Sequence, residues 1–182
     1  FFASKFSGGR KGLLFKLLVL VEKVSCLFSD HVIIANDIWR DKLILRSAKP
    51  SKVTTLLNYP DTSIFFPRPR TRDDDGFMML YHGTVNWHQG LDIAVRAMAL
   101  IKDKAPQATF HIYGGGSHWA EIGELIVQLG LSDRVFMRSG TTTRGIAEVV
   151  AQADLGVIPK RNDQFGGEAF STKTMEVMAC GV

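Results

Sequence analysis

The sequence predicts an α/β fold, a doubly wound parallel sheet with helices on both faces, from about residue 77 onward. Three observations predict it. Apolar runs and amphipathic stretches alternate four times over that region, the pattern of βαβ units. "FMMLYHG", "ATFHIYGGG" and "RVFMRSG" each pass from an apolar run into glycine, so their ends fall on one edge of a parallel sheet, where ligands bind. The chain has 182 residues, 46% apolar and 22% charged, enough for one full domain or parts of two.

Taken in order, "GLLFKLLVLVEKVSCLF" repeats Leu13, Leu17, Leu20, Val24 and Leu27 at helical spacing. Its longest unbroken apolar run is 17–21, short of the about 20 residues a spanning helix needs. A buried core helix is expected. A helix lying on a membrane through residues 10–28 is the alternative. "HVIIAN" reads as a buried strand. "DIWRDKLILRS" reads as a helix with Asp37 at its N-cap, and 53–57 as a second strand. Residues 61–76, "DTSIFFPRPRTRDDDG", have the chemistry of a linker. The expected division is therefore 1–60, a linker at 61–76, and a second domain at 77–182.

Beyond the linker, 77–81 is the first strand. "GLDIAVRAMALIKDKAP" is an amphipathic helix with Leu91, Ala94, Val95, Met98 and Ile101 on one face. "ATFHIYGGG" and "RVFMRSG" are strands, and "HWAEIGELIVQLGL" is a helix stopped by Gly130. "TRGIAEVVAQA" is a helix and 154–159 a strand. The closing "STKTMEVMACGV" is a helix with Ser171 as N-cap and Met175, Met178 and Ala179 on its buried face. The chain opens on Phe1-Phe2 and closes in a helical stretch, so a piece of a longer protein is expected.

The formal charge of +4 fits a phosphate-bearing ligand or an anionic surface. No compact basic run appears, and no nucleic acid is expected. Cys26 and Cys180 stand far apart, which suggests neither zinc nor a disulfide framework and points to a reducing cytosol.

Glycine-rich loops repeated on one sheet edge allow a ligand close to the backbone, with helix N-termini behind them to receive anions. The triple glycine starting at Gly114 is not a dinucleotide fingerprint, because the third glycine would fall on Trp119. In the closing segment, Glu168 precedes the helix and Glu176 lies one turn inside it. The amides of Thr172, Lys173 and Thr174 would face the ligand edge. Lys173 in a first turn opposes the helix dipole, and a bound diphosphate would reverse that. The spacing equally fits a Lys173–Glu176 pair with Glu168 solvated.

"EAFSTKTME" resembles the E-x7-E motif of the family 4 retaining glycosyltransferases. These have the GT-B fold of two Rossmann-like domains. "DHVIIAN", "KVTTLLNYPDTSIFFP", "GLDIAVRAMALIK", "FHIYGGGS", "LGLSDRVFMRSG" and "AEVVAQADLGVIP" follow the family's order from about Phe28 to the end. The resemblance implies a carboxy-terminal donor domain preceded by the end of an amino-terminal acceptor domain. It implies that Glu168 is the catalytic acid group facing the donor sugar or its phosphates, and that Glu176 binds the donor ribose. Phe170, Ser171, Thr172 and Lys173 would line the donor. Gly83, Thr84 and Gly114 would approach the diphosphate, and Arg138 and Ser139 the base. Members often carry an Arg and a Lys in the loop before the glycine equivalent to Gly90. Here those positions read Val or Thr and Gln89, with His88 beside it, so Lys173 and the helix N-terminus would stand in.

The reaction implied is glycosyl transfer from a nucleoside-diphosphate sugar, the base left open and UDP the first to try, to an acceptor hydroxyl with retention. A non-catalytic sugar-nucleotide-binding module is the alternative. The donor is a substrate, and no cofactor is expected. No D-x-D cluster appears, the aspartates at 73–75 read as solvated, and no metal is expected. The likeness to bacterial surface-polysaccharide members implies a glycan or lipid-linked acceptor. It implies a cytoplasmic protein, peripheral on the inner membrane, and little turnover by this stretch of chain alone. Lys160 and Arg161 read as solvated.

Overall fold

The computed structural model describes residues 12–162 and 170–182. They fall into two compact units, one built on residues 12–58 and one on 59–161 with 171–182.

The first unit holds helix α1 (Leu13–Phe28), strand β1 (Val32–Ile34), helix α2 (Asp37–Arg46) and strand β2 (Val53–Thr55). β1 and β2 pair in parallel, Val32 opposite Val53. The N-cap of α2 is Asn36, not Asp37. Asn36 has extended backbone, and its side chain accepts from the Trp39 amide at 2.8 Å. Asp37 is instead the first helical residue, where the dipole favours an acid. Cys26, Leu43 and Val53 form the core. α1 departs from its expectation of burial. Leu13 is 85% and Leu27 70% exposed, and Cys26 is the buried residue among those described. Two three-residue strands and α2 have too little apolar surface to cover it. Glu22, on α1, binds Arg46 and Ser47 across the unit. Among the described residues, no helix is long and apolar enough to cross a membrane.

The second unit alternates β3 (Phe77–Thr84), α3 (Leu91–Ile101), β4 (Ala108–Gly115), α4 (Trp119–Gln128), β5 (Val135–Ser139), α5 (Thr143–Val150), β6 (Leu155–Gly156) and α6 (Thr172–Ala179). All its strand pairings are parallel, in the order β5-β4-β3-β6. β3 is central and buried on both faces. Tyr81 joins Phe110, Ile112, Val95 and Ile122 in a cluster with α3 and α4. Met78 and Leu80 join Ala147, Val150, Val177 and Cys180 in a cluster with α5 and α6. Alternate residues of one strand feed the two clusters, as the period of two requires. The doubly wound parallel sheet is as expected.

The element limits differ at two strands. β3 runs on to Thr84, because its pairing with β4 continues through Gly83↔Gly114 and Thr84↔Gly115. β6 is an edge strand and pairs only at Leu155 and Gly156. Residues 61–76, expected as a linker, pack onto this unit. Phe65 is 4% exposed. Asp154 Oδ1 accepts from Arg70 at 2.5 Å, its Oδ2 accepts from the Met78 amide at 2.7 Å, and Arg72 lies 3.4 Å away. Asp74 within the aspartate run accepts from Arg72 at 2.8 Å, while Asp73 and Asp75 are exposed.

Candidate functional site

The strand order reverses between β3 and β6. The first three strands of the unit step away in one direction, and the fourth returns to the other side of β3. In an open α/β sheet the crevice beyond the carboxyl ends at such a reversal is the ligand position. Here the end of β3 supplies Tyr81, His82, Gly83 and Thr84, and the first turns of α6 supply Lys173 and Glu176.

The floor of this crevice is backbone. A Cβ on Gly114 would overlap the carbonyl oxygen of Gly83, and one on Gly140 would lie 3.8 Å from Gly114 Cα. Three neighbouring strand ends therefore meet without side chains between them. Gly83 has φ 119°, a conformation side chains resist. A Cβ there would also overlap Lys173 Cε and lie 3.2 Å from Nζ. The lysine stem thus runs across the end of β3, with Nζ 5.4 Å from the Tyr81 ring centre. Tyr81 donates from its hydroxyl to the Thr84 carbonyl at 2.7 Å and fastens the loop from inside. Burial pushes the Tyr81 phenol up, so it remains a donor.

The charges on α6 are half-buried. Burial pulls the Lys173 amine down, while Glu176 pushes it up and Lys160 down. Burial pushes the Glu176 carboxyl up, while Lys173 opposes. His82 is 6% exposed, with Nε2 3.4 Å from Glu176 Oε2 and, among the described residues, no hydrogen-bond partner for that nitrogen. Burial first, then Lys173, lower its pKa to about 4, so the imidazole is neutral at pH 7 and forms no ion pair. A desolvated ammonium with one acid nearby is poised for an anion. The α6 N-terminus adds to this, since Ser171 makes no side-chain cap.

A profile of the glycosyl transferases group 1 matches residues 63–182. The chain belongs to this family. A D-inositol 3-phosphate glycosyltransferase of Acidothermus cellulolyticus is 30% identical over 158 residues, 78% of this chain and 34% of that protein. A mannosylfructose-phosphate synthase of Agrobacterium fabrum is 26% identical over 137 residues, 66% of this chain and 29% of that protein. The chain spans about a third of the length of these curated relatives. Anabaena HepE in complex with UDP superposes with a TM-score of 0.75 at 19% identity, over 98% of this chain and 48% of that chain. That likeness concerns the fold, and the expected GT-B fold stands.

Of the site residues expected from sequence in this group 1 glycosyl transferase, Gly83, Thr84, Lys173 and Glu176 come together at the ends of β3 and α6. Gly114 lies beside Gly83. Arg138 and Ser139 stand opposite Tyr113 and Gly114 on β5, two strands or about 10 Å from β3. Both are exposed. His88 and Gln89 occupy a 3-10 turn, Trp87–Gln89. Thr172 and Phe170 are exposed. Glu168 lies outside the described residues.

Two expectations at α6 change. Ser171 is at the N-cap position but caps with its carbonyl, which accepts from the Thr174 amide at 3.1 Å. Thr174 is therefore not a free donor. The buried face of α6 is Val177 with Cys180 beyond the helix end, whereas Met178 is 66% exposed. Arg161 is not simply solvated. Its Nη2 donates to both Asp92 carboxylate oxygens at 2.8 and 2.7 Å, its Nε donates to Trp87 O, and its guanidinium lies 4.2 Å over the Trp87 ring. The sequence reading passed over His82. The available signal was a histidine inside an apolar strand, directly before the strand-end glycine.

Proposed function

We propose that the second unit binds the nucleoside-diphosphate part of a sugar donor across the ends of β3, β4 and β5. The complete protein then transfers the glycosyl group to an acceptor hydroxyl with retained configuration. The observation that carries this reading is Lys173. Its amine is drawn over a glycine floor at the strand reversal, beside a helix N-terminus that carries no side-chain cap. In this reading the ammonium and the Thr172 and Lys173 amides receive the leaving diphosphate. Glu176 accepts hydrogen bonds from the ribose hydroxyls. The Arg138–Ser139 end of β5 holds the base through backbone, and Glu168 faces the transferred sugar. Fixed dipoles and the lysine stabilise the diphosphate as the anomeric bond breaks, and the reading assigns that charge to no metal. UDP is the first nucleotide to test, because HepE was solved with it.

Calorimetry of the chain with UDP and with uridine tests the binding half. Mass spectrometry of product from a nucleotide-sugar panel, using the complete protein, tests the transfer. A chain that ignores both UDP and uridine refutes the reading. Binding without product from any sugar nucleotide would leave a sugar-nucleotide-binding module.

The exposed leucines of α1, with Lys16 and Lys23 among them, support a further part of the reading. The protein works in envelope polysaccharide synthesis on a lipid-linked or glycan acceptor, peripheral on the cytoplasmic side of the inner membrane. Co-sedimentation with anionic vesicles, for the wild type against a Leu17→Glu, Leu20→Glu double variant, tests the attachment. Equal pelleting of the two removes it.

A further inference from the structure

We infer that His82 is the positioning residue for Glu176: its buried ring nitrogen holds one carboxylate oxygen so that the other is presented to the ligand. This rests on the donor reading above and deepens it.

The period of β3 places His82. Met78 and Leu80 face the α5–α6 side of the sheet, and Tyr81 faces the α3–α4 side. His82 therefore turns toward α6, where Glu176 Oε2 lies 3.4 Å from its Nε2. Met78 and Leu80 before it on that face are apolar and well packed, and a leucine would fill the position without a polar atom to satisfy. Instead the site holds an imidazole whose Nε2 is buried and has no hydrogen-bond partner among the described residues. An orphaned buried nitrogen destabilises a fold unless it has an occasional partner. The carboxylate of Glu176 lies 3.4 Å from it.

The electrostatics say what kind of contact this is. Among the described residues, the charged and titratable groups facing His82 are Lys173 and Glu176 from α6 and its register partner Tyr113 on β4, while Tyr81 beside it on β3 turns to the other face. Lys173 supplies the positive charge that Glu176 needs. His82 is neutral and can offer one directional N–H. The 3.4 Å separation is longer than an aligned hydrogen bond, as is usual before a ligand completes a site. When ligand hydroxyls draw one carboxylate oxygen outward, the ring nitrogen stops Oε2 from following. Without it the carboxylate rotates, and the ligand loses its acceptor.

The test uses UDP and uridine as calorimetric probes on three variants. His82→Phe keeps the ring volume and removes the donor. His82→Gln places an amide near the lost ring nitrogen. Glu176→Gln removes the charge that is positioned. His82→Phe should weaken both UDP and uridine about tenfold, the worth of a hydrogen bond to a charged group. His82→Gln should restore both to within about threefold, and His82→Phe should add nothing in the Glu176→Gln background. Wild-type affinity in His82→Phe overturns the inference. So does a folded His82→Gln as weak as His82→Phe, or losses that multiply in the double variant.

Ring nitrogen resonances of His82, recorded without nucleotide, supply a readout that packing alone would not move. They should show the Nε2-protonated tautomer and shift in Glu176→Gln. If the wild type binds neither UDP nor uridine, the donor reading fails, and the resonances alone decide the pairing. Unchanged ring shifts in Glu176→Gln then overturn it.

Discussion

Lys173→Met separates the charge of the proposed diphosphate cation from its packing. Methionine keeps nearly the same unbranched stem along the Gly83 backbone, where Cε and Nζ of the lysine now lie. The variant removes a half-buried ammonium whose burial already opposes its charge. Losing that unfavourable desolvation offsets the loss of attraction to Glu176, so the stability of the unit should change little. Ligand binding has no such compensation. A hydrogen bond to a charged group contributes about 1.5–3 kcal/mol. A full ion pair at 4 Å reaches about 4 kcal/mol in a partly solvated site. The helix N-terminus shares the diphosphate, so about 2–3 kcal/mol is the expected loss, or about 30- to 150-fold in Kd.

Calorimetry with UDP and with uridine at pH 7.5 makes the test specific. UDP should lose that factor, and uridine, which has no phosphate, should stay within about threefold because hydrogen bonds to its ribose and base are untouched. The UDP affinity of the variant should also depend less on salt, since one screened charge has gone. Equal losses for the two ligands would mean that the variant disturbed the site as a whole. Undiminished UDP binding would mean that another cation holds the diphosphate. Either result refutes the assignment.

Four further outcomes follow from the same geometry. Gly83→Ala, whose Cβ displaces the flexible Lys173 stem and takes a φ of 119°, should weaken UDP more than uridine and cost about 1–2 kcal/mol of stability, read by calorimetry and thermal unfolding. Gly114→Ala meets the fixed Gly83 carbonyl rather than a movable side chain, and should destabilise by at least about 3 kcal/mol in chemical denaturation. Arg161→Ala removes a two-pronged pair with Asp92 and the stacking on Trp87; it should cost about 1–2 kcal/mol, and Arg161→Lys should recover under half, because lysine can neither fork nor stack. His82 has its folded pKa depressed from 6.5 to about 4, so the unfolded chain takes up its proton first as pH falls; up to about 3 kcal/mol present above pH 6.5 should be lost by pH 4, opposed in part by Glu176, whose raised pKa favours the folded state in acid. Thermal unfolding of His82→Phe across that window should show a shallower decline than the wild type.

What could be read from the chain was local, and what could not was pairwise. Helix α6 spans Thr172–Ala179 as its composition foretold, and α3 buries Leu91, Ala94, Val95 and Met98, as their spacing implied. The glycines at 83 and 114 announced close approach. The sequence did not announce what approaches: for Gly114 it is the Gly83 carbonyl, and for Gly83 the stem of a lysine 90 residues on. The same limit explains α1. Its leucine repeat is a helix signal, but burial depends on what surface the rest of the unit offers. The residues 61–76 read as a linker from their prolines and charges, yet Arg70 and Arg72 find Asp154, which no local pattern reveals. Arg161 was misjudged for the same reason, since Asp92 and Trp87 are far from it in sequence.

His82 shows how such a pairing is fixed without any local motif. Its partner Glu176 is 94 positions away, and three decisions bring them together. β6 must return to the β3 side rather than extend past β5. Val177 must then sit against Gly156, where a Cβ would crowd it at 2.6 Å, which seats α6 over the end of β3. Finally β3 must pair with β4 in the register Phe77↔Ala108. A slip of one residue would exchange the faces of Tyr81 and His82. The phenol would then be pressed toward Glu176 and the imidazole into the apolar cluster under α3. Burial of Tyr81 among Phe110, Ile112 and Val95 makes that slip costly, because it would also turn Leu80 out of its own cluster. The packing of the two apolar faces therefore sets the chemistry of the crevice. The strand places one polar residue beside Glu176 because its apolar neighbours leave it no other face.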